Sequence, residues 1–218
     1  MRSRHLIATI TIFVWCLAAG WAAAQQGEHH GTLALTGVSL DAESDAVGDT
    51  GSSIQLDDGY ALSFAYTWMA RDTWSLESSI SLSRLETDAV GGVADGAELG
   101  NLWTTWITAG IQYHVPLYSK FEPVVGVGAV IVWPFLDDLT SAAEDVGVGE
   151  LKADPGLGWT AHAGVLWHTS SSWAWRLDLR YLATDLDLRV KDTGGVTVDT
   201  VGMPFDGWML SVGGTWRF

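Results

Sequence analysis

Two stretches of the chain place tryptophans eight residues apart, with small or apolar residues at the alternate positions between them. They read WTAHAGVLW at 159–167 and WMLSVGGTW at 208–216. Side chains of a β-strand point to opposite faces with period 2, so the two tryptophans of each stretch share one face. A helix fits less well, because eight residues is not a whole number of turns and glycine is costly inside a helix. The pattern predicts strands whose apolar face ends in aromatic residues.

The same alternation recurs along most of the chain. It predicts eight strands, at 31–42, 59–69, 74–84, 102–115, 121–134, 157–168, 173–190 and 207–218. Short connections at 70–73, 116–120 and 169–172 alternate with long acidic ones at 43–58, 85–101, 135–156 and 191–206. In an up-and-down array the long connections all lie at one end. This asymmetry is typical of bacterial outer-membrane β-barrels.

Aromatic residues lie at both ends of the predicted strands, on the same face as the apolar residues between them. At the long-connection end they are Tyr60, Trp103, Trp133, Trp159 and Trp208. At the short-connection end they are Trp68, Trp74, Tyr113, Trp167, Trp173, Trp175, Trp216 and Phe218. Eight steps along a strand tilted by about 40° span roughly 20 Å, near the ~25 Å apolar band of such barrels. We expect two aromatic girdles at the two lipid headgroup layers.

The opposite face of the predicted strands is rich in serine, threonine and glycine, with a few charges. A soluble sandwich or a lipocalin-like barrel is the alternative interpretation of the alternation. Such a fold would place a charged surface opposite the apolar face, and tryptophans confined to strand ends would have no clear purpose in its core. The pattern therefore favours an all-β, eight-stranded, antiparallel up-and-down transmembrane β-barrel.

The first residues have the composition of a secretory signal. Basic residues precede LIATITIFVWCLAAGW, and Ala22-Ala23-Ala24 follows it. We predict a cleaved signal peptide at 1–24 and a barrel at 25–218; a retained membrane anchor is the alternative. The single cysteine, Cys16, lies in this segment, so the predicted mature chain has no disulfide. The 26 acidic against 11 basic residues argue against a nucleic-acid partner, whose phosphates require a basic surface.

The C-terminal half resembles the outer-membrane protein W family of small eight-stranded barrels. The resembling stretches are SKFEPVVGVGAVIVWPF at 119–135, GWTAHAGVLWHTSSSWAWRLDLRYLATDLDLRV at 158–190 and DGWMLSVGGTWRF at 206–218. The resemblance implies a bacterial outer-membrane location and a passive channel or binder for small hydrophobic molecules. It also implies recognition of the terminal Phe218 by the barrel assembly machinery. The other expected partners are outer-membrane lipids and lipopolysaccharide, the latter bridged to the acidic connections by divalent cations.

The width of an eight-stranded barrel limits what its interior can do. Such an interior is just wide enough to be filled by side chains, which excludes a bulk aqueous pore. We expect a ligand cleft in the upper half, with sideways release into the membrane, lined by Trp106, Val130, Val132, His162, Leu182 and Met209. Below it we expect a paired charge network of Glu77, Arg176, Asp178, Arg180 and Arg217. The alternatives are a proton or ion path along these charges, and a structural or adhesive barrel with a packed interior.

The sequence does not predict an enzyme. His168-Thr169-Ser170 resembles in miniature the His-x-Ser of outer-membrane lipid A deacylases, but it lies at a predicted periplasmic turn with no carboxylate nearby in sequence. The pairs His29-His30, Asp57-Asp58 and Asp137-Asp138 lack the ligand spacing of a metal-binding loop. We therefore predict no catalytic residue, no metal and no cofactor.

Overall fold

The computed structural model describes residues 27–44, 53–91, 96, 98–117, 119–139, 150–191 and 197–218. The predicted signal peptide at 1–24 lies outside the described residues. The strands are β1 (His29–Glu43), β2 (Ser53–Arg71), β3 (Trp74–Val90), β4 (Glu98–His114), β5 (Phe121–Leu139), β6 (Glu150–Ala153), β7 (Gly156–His168), β8 (Trp173–Lys191) and β9 (Thr197–Arg217). In this described part of the chain, no helix has the length and apolarity needed to cross a membrane.

Eight of the strands close into a ring in which neighbours are antiparallel. The order is β1, β2, β3, β4, β5, β7, β8 and β9, and β9 pairs with β1 to complete the ring. The short strand β6 pairs only with the upper end of β8, where Ala153 faces Leu188. Closure leaves each ring strand paired on both sides, so the backbone groups are satisfied without water. The predicted eight-stranded up-and-down barrel is confirmed.

The two ends of the barrel differ. The lower end holds the connections at 72–73 and 169–172, the described residues 115–117 and 119–120, and Phe218. At the upper end, β1 ends at Glu43, β3 at Val90, β5 at Leu139 and β8 at Lys191. On the outer face between the ends, aliphatic side chains are exposed, and Leu35 reaches 70%. They include Leu33, Leu62, Leu76, Leu82, Ile111, Val125, Val127, Leu177, Leu179, Leu210 and Val212.

Aromatic residues border this apolar band. At the upper border Tyr181 lies between two girdle tryptophans, with ring centroids 5.5 Å from Trp159 and 5.1 Å from Trp208. At the lower border the rings of Trp173 and Trp216 stack at 6.4 Å. The predicted girdle residues are exposed or half-buried on the outer face. The arrangement matches the two headgroup layers of a membrane.

The strands continue beyond the upper girdle into residues that the sequence analysis assigned to long connections. β2 begins at Ser53, β3 extends to Val90, β5 extends to Leu139 and β9 begins at Thr197. The prediction of connections over 43–58, 85–101, 135–156 and 191–206 was therefore wrong for the parts that form strands. We call the strand segments above the upper girdle the stalk; they are 39–43, 53–58, 85–90, 98–102, 134–139, 150–153, 184–191 and 197–206.

Where the stalk begins, the apolar face of the strands changes from the outer to the inner face of the barrel, and the polar face changes in the opposite sense. Along β8, Leu177 and Leu179 face outward below the girdle, whereas Leu186 and Leu188 face inward above it with 1% and 2% exposure. The alternation of inward and outward side chains continues without interruption, and only the polarity of the residues on each face changes. The outer face of the stalk is polar and includes the exposed residues Asp41, Glu43, Gln55, Asp58, Glu86, Asp185, Asp187 and Thr200. The stalk therefore has the pattern of a water-exposed barrel, and the part below has the pattern of a membrane barrel.

Candidate functional site

The upper half of the barrel interior is filled by one cluster of buried apolar side chains, which we call the upper apolar cluster. It consists of Val38, Ala42, Ile54, Leu56, Ala61, Leu85, Ala89, Leu102, Trp106, Val130, Val132, Leu182, Leu186, Leu188, Val201, Met203, Phe205 and Met209. Trp106 on β4 and Phe205 on β9 meet edge to face across it, with ring centroids 6.2 Å apart. Because β4 and β9 are four strands apart in the ring, this contact joins opposite walls.

Five of the six residues predicted for the upper cleft lie in this cluster, namely Trp106, Val130, Val132, Leu182 and Met209. Side chains fill the space that the sequence analysis assigned to a cleft, and Val130 and Val132 have no exposed surface. Phe205 is fully buried, but the predicted connection over 191–206 excluded it from the predicted cleft. The signal for a strand there was the spacing of the apolar residues Val201, Met203 and Phe205 at every second position.

A layer of paired charges lies below the upper apolar cluster. Glu77 on β3 accepts hydrogen bonds from Arg176 Nη1 at 2.6 Å and from Arg180 Nη2 at 2.7 Å. Asp178 accepts from Arg176 Nη2 at 3.1 Å and lies 3.6 Å from Arg180 Nε. Two carboxylates thus balance two guanidinium groups. Buried charges persist only when they are paired in this way, and the layer joins β3 to β8 across the interior.

Hydroxyl groups separate the charge layer from the apolar cluster. Thr36 Oγ1 lies 3.0 Å from Ser63 Oγ and 2.8 Å from Ser211 Oγ, and Ser63 Oγ lies 2.8 Å from Ser81 Oγ. This hydroxyl chain crosses the neighbouring strands β3, β2, β1 and β9. Beside it is a cavity of about 50 Å³ that touches both Trp106 above and Arg180 below.

From the upper to the lower part of the barrel, the interior thus changes from apolar groups to hydroxyl groups and then to charged groups. The strands around this interior form a closed ring whose outer face is apolar and suits contact with lipid.

The model of the OmpW family matches residues 25–218. The chain belongs to the OmpW family. The resemblance and the transmembrane barrel predicted from the sequence are thereby confirmed, and this OmpW-family barrel resides in the bacterial outer membrane. A comparison with curated proteins finds no match.

Solved structures of outer-membrane proteins share the fold of this OmpW-family chain. The crystal structure of OprG from Pseudomonas aeruginosa is 20% identical, with a TM-score of 0.78 over 88% of this chain and 96% of OprG. The solid-state NMR structure of the outer membrane protein AlkL in DMPC bilayers is 16% identical, with a TM-score of 0.67 over 88% of this chain and 90% of AlkL. At these identities the likeness concerns the fold.

Two predicted site residues of this OmpW-family barrel lie elsewhere than expected. His162 belongs to the charge layer, since its Nδ1 is 2.8 Å from Asp178 Oδ2 and its Nε2 is 3.4 Å from Gln112 Nε2. Its predicted place in the upper cleft was wrong. Arg217 was predicted for the interior network, but it lies half-exposed at the lower rim, 3.0 Å from Glu28 Oε2. As the last residue of β9, Arg217 reaches solvent, where a charge needs no buried partner.

The lower end of the barrel holds a cavity of about 230 Å³ lined by three histidines, His30, His114 and His168. Glu122 connects two of them: it bonds to His114, and its Oε2 lies 2.6 Å from His168 Nε2. A carboxylate distant in sequence therefore does reach His168. Within the described ranges His168 makes no hydrogen bond to Ser170, whose Oγ accepts instead from the Ser172 amide at 3.4 Å.

The acidic and histidine pairs considered for metal binding in this OmpW-family chain have other surroundings. His29 Nδ1 lies 2.6 Å from the Tyr66 hydroxyl. Asp57 and Asp58 lie at a β-bulge, between the registered pairs of Leu56 and Gly59. The side chains of Asp137 and Asp138 lie outside the described residues. Among the residues that the structure describes, no group of three His, Cys, Asp or Glu side chains is arranged to hold a metal ion.

Proposed function

We propose that this barrel takes up small hydrophobic molecules: it binds them in the upper interior and releases them sideways into the outer membrane. The observation that carries the proposal is the upper apolar cluster, which lies above the layer of paired charges and extends below the upper girdle. The proposed role involves no chemical reaction and no cofactor.

Part of the upper apolar cluster lies below the upper girdle, where a membrane barrel does not need an apolar interior for stability. Interiors of outer-membrane barrels are polar, because their apolar faces point to lipid. Trp106 is buried in the cluster three residues below the girdle residue Trp103, and Met203 and Met209 belong to the same cluster. Eight-stranded barrels with apolar interiors can hold one small ligand, as lipocalins do. The methionines are unbranched and flexible, so they can move aside for an apolar guest at small energetic cost.

The charge layer directs such a guest sideways. An apolar molecule that moved down the barrel axis would have to separate Glu77 from Arg176 and Arg180, and breaking a buried ion pair costs about 3–5 kcal/mol. The surrounding outer leaflet offers hydrocarbon without that cost. The membrane is therefore the favoured destination.

The wall of the barrel offers a seam at the right height. The β5–β7 ladder ends where Val132 faces Gly156, the first residue of β7. β5 continues upward to Leu139 alongside β4, and β6 pairs with β8. Above Val132 the described residues show no strand pairing between β5 and β6. This seam begins beside the girdle residues Trp133 and Trp159 and extends upward through the stalk, so it supports sideways exit at the headgroup layer, from which a guest enters the hydrocarbon.

A structural or adhesive barrel without transport is the second candidate. Close packing of the upper interior favours it, since Phe205, Val130 and Val132 are fully buried and Trp106 is 2% exposed. The two candidates differ in whether the apolar cluster opens for a guest. For both candidates we expect lipopolysaccharide as a partner of the acidic outer face of the stalk.

Uptake of a hydrocarbon by cells distinguishes the two candidates. A strain lacking the gene is complemented with the wild-type chain, with Trp106→Arg, or with Thr200→Arg as the matched control. Trp106 is inside the apolar cluster, whereas Thr200 is exposed on the outside of the stalk. Heat-modifiable electrophoretic mobility shows that each variant forms a barrel in the outer membrane.

We expect uptake of radiolabelled decane with the wild-type chain and with Thr200→Arg, and uptake at the level of the deletion strain with Trp106→Arg. The physical reason is that an arginine in the cluster makes the binding region polar. Equal uptake by the deletion strain and the wild type would overturn transport and favour the structural barrel.

A further inference from the structure

The boundary between the upper apolar cluster and the hydroxyl chain contains an unused hydrogen-bond donor. Trp106 is 98% buried, since only 2% of its surface is exposed, and its Nε1 has no hydrogen-bond partner among the described residues. Buried tryptophans usually do find a partner for this N–H group. An unpartnered donor in an apolar region is costly unless a ligand or water accepts from it.

The hydroxyl chain lies at the same height as this indole. Ser81 on β3 is directly opposite Trp106 on β4 in the antiparallel ladder. Side chains in such opposed positions have Cβ atoms about 5 Å apart. From Ser81 the chain of hydroxyls continues through Ser63 and Thr36 to Ser211. Three hydrogen bonds join these four hydroxyls, so acceptor lone pairs remain available along the chain.

The cavity of about 50 Å³ is bordered by both features, because Trp106, Ser81, Ser63, Thr36 and Ser211 all line it. A cavity needs about 10–15 Å³ by the same measure to hold one water molecule, so the space can hold a head group of a few heavy atoms. Trp106 is also a member of the upper apolar cluster and contacts Phe205 there. A ligand with its head in the cavity would thus extend its tail into the cluster.

The charge layer below indicates that the head group is neutral. Arg176 and Arg180 are both engaged by Glu77 and Asp178, and the formal charges of these four residues cancel. No excess positive charge is left among them to compensate a buried carboxylate, which is costly without a partner. An alcohol oxygen accepts from the indole N–H and donates its own hydrogen to a serine or threonine oxygen. An alkane satisfies neither group.

We propose that the preferred ligand of this barrel is a straight-chain molecule with a neutral hydroxyl head, such as a medium-chain primary alcohol. Its head lies in the cavity between Trp106 and the hydroxyl chain, and its tail lies in the upper apolar cluster. This inference rests on the proposed function, because it requires that the apolar cluster open for a guest.

Binding of ten-carbon probes to the folded barrel tests the inference. The full-length mature chain is placed in nanodiscs of dimyristoylphosphatidylcholine, and retention of radiolabelled 1-decanol, decane and decanoate is measured. Empty nanodiscs of the same lipid are subtracted to remove simple partitioning. The variants are Trp106→Phe, Ser81→Ala and, as the control, Ser83→Ala. Ser83 is also buried on β3, but it bonds to Thr104 and does not line the cavity.

We expect the wild-type barrel to bind decanol about 10-fold more tightly than decane, the effect of one or two neutral hydrogen bonds. Trp106→Phe should bring the ratio of decanol affinity to decane affinity close to one. Ser81→Ala should lower this ratio about threefold, and Ser83→Ala should leave it unchanged. If Trp106→Phe does not fold, Ser81→Ala decides the question against the same control.

The possible failures are distinguishable. Equal retention of decanol and decane by the wild type overturns the hydroxyl-head inference and leaves the proposed function standing. An unchanged ratio in both cavity variants also overturns the inference. Tighter binding of decanoate than of decanol overturns the neutral head group. Retention of none of the probes above empty nanodiscs overturns the proposed function as well.

Discussion

Arg176 and Glu77 meet inside the barrel from opposite walls, with Nη1 of the arginine 2.6 Å from Oε2 of the glutamate. They lie on β8 and β3, which are four strands apart in the eight-stranded ring. Arg180, two inward positions above Arg176 on β8, binds the other oxygen of the same carboxylate at 2.7 Å. The Glu77 carboxylate on β3 thus links this strand to β8, on the opposite wall, through two arginines. The position of this layer divides the interior into two compartments.

Removal of the Glu77 carboxylate should destabilise the barrel strongly. Glu77→Ala leaves two buried guanidinium groups with only Asp178 to balance them, and we expect a loss of about 3–5 kcal/mol. Urea unfolding in lipid vesicles measures the effect. Glu86→Ala, on the exposed face of the same strand, is the control and should change stability by less than about 0.5 kcal/mol. Similar losses in both variants would contradict the account of the charge layer.

Arginine on the outer face of β8 should have different effects below and above the upper girdle. Leu179 is exposed on the outer face in the apolar band, so Leu179→Arg should cost about 2–4 kcal/mol in a bilayer. Asp185 is exposed on the outer face of the stalk, where Asp185→Arg should cost about 0–1 kcal/mol. The comparison is made by unfolding in vesicles of one lipid composition. A large cost for Asp185→Arg would show that the stalk lies in hydrocarbon.

Truncation of Phe205 should loosen the stalk. Its ring is fully buried against Trp106, and Phe→Ala changes in cores cost about 3–5 kcal/mol. We expect Phe205→Ala to make the stalk open locally and to accelerate cleavage within 197–206 by protease added outside whole cells. Thr200→Ala, at an exposed position of the same strand, should cleave like the wild type. Equal cleavage rates for the three proteins would argue against a folded strand in this segment.

Deletion of Phe218 should affect assembly more than stability. The Phe218 side chain is 64% exposed, and its ring stacks on His29 with centroids 6.2 Å apart. Because an exposed ring contributes little packing, the refolded protein should lose about 1 kcal/mol or less. In cells we expect a several-fold lower level in the outer-membrane fraction, measured by immunoblot, if the assembly machinery reads this residue. Phe121→Ala, which removes another exposed ring at the lower end, should keep the wild-type level.

The ring of strands and the girdles were predictable because both depend on period-2 patterning, which is local along the chain. Trp159, Trp167, Trp208 and Trp216 lie on the outer face where the alternation placed them. The same parity identified Trp106, Leu182 and Glu77 as interior residues. None of these assignments requires knowledge of which strands are neighbours.

Most of the stalk was missed because its strands carry the reverse polarity. On β9, Val201, Met203 and Phe205 are apolar on the parity that carries Ser211 and Thr215 below the girdle, so a search for one apolar face began that strand only at 207. The acidic residues of 191–206 then gave this segment the composition of a solvated connection. A strand whose apolar side chains change from the outer to the inner face at the membrane surface passes from hydrocarbon into water.

By itself the sequence determined an exported, acidic, all-β chain with an apolar outer face bordered by aromatic rings, because strand periodicity and side-chain polarity are properties of each segment alone. Only the tertiary structure decided which residues of opposite strands lie at the same level along the barrel axis. Closure of the ring sets the register and brings Glu77 to Arg176, His162 to Asp178 and Trp106 to Phe205. These pairs come from segments far apart in the chain, and their meeting depends on strand stagger, which no local pattern encodes.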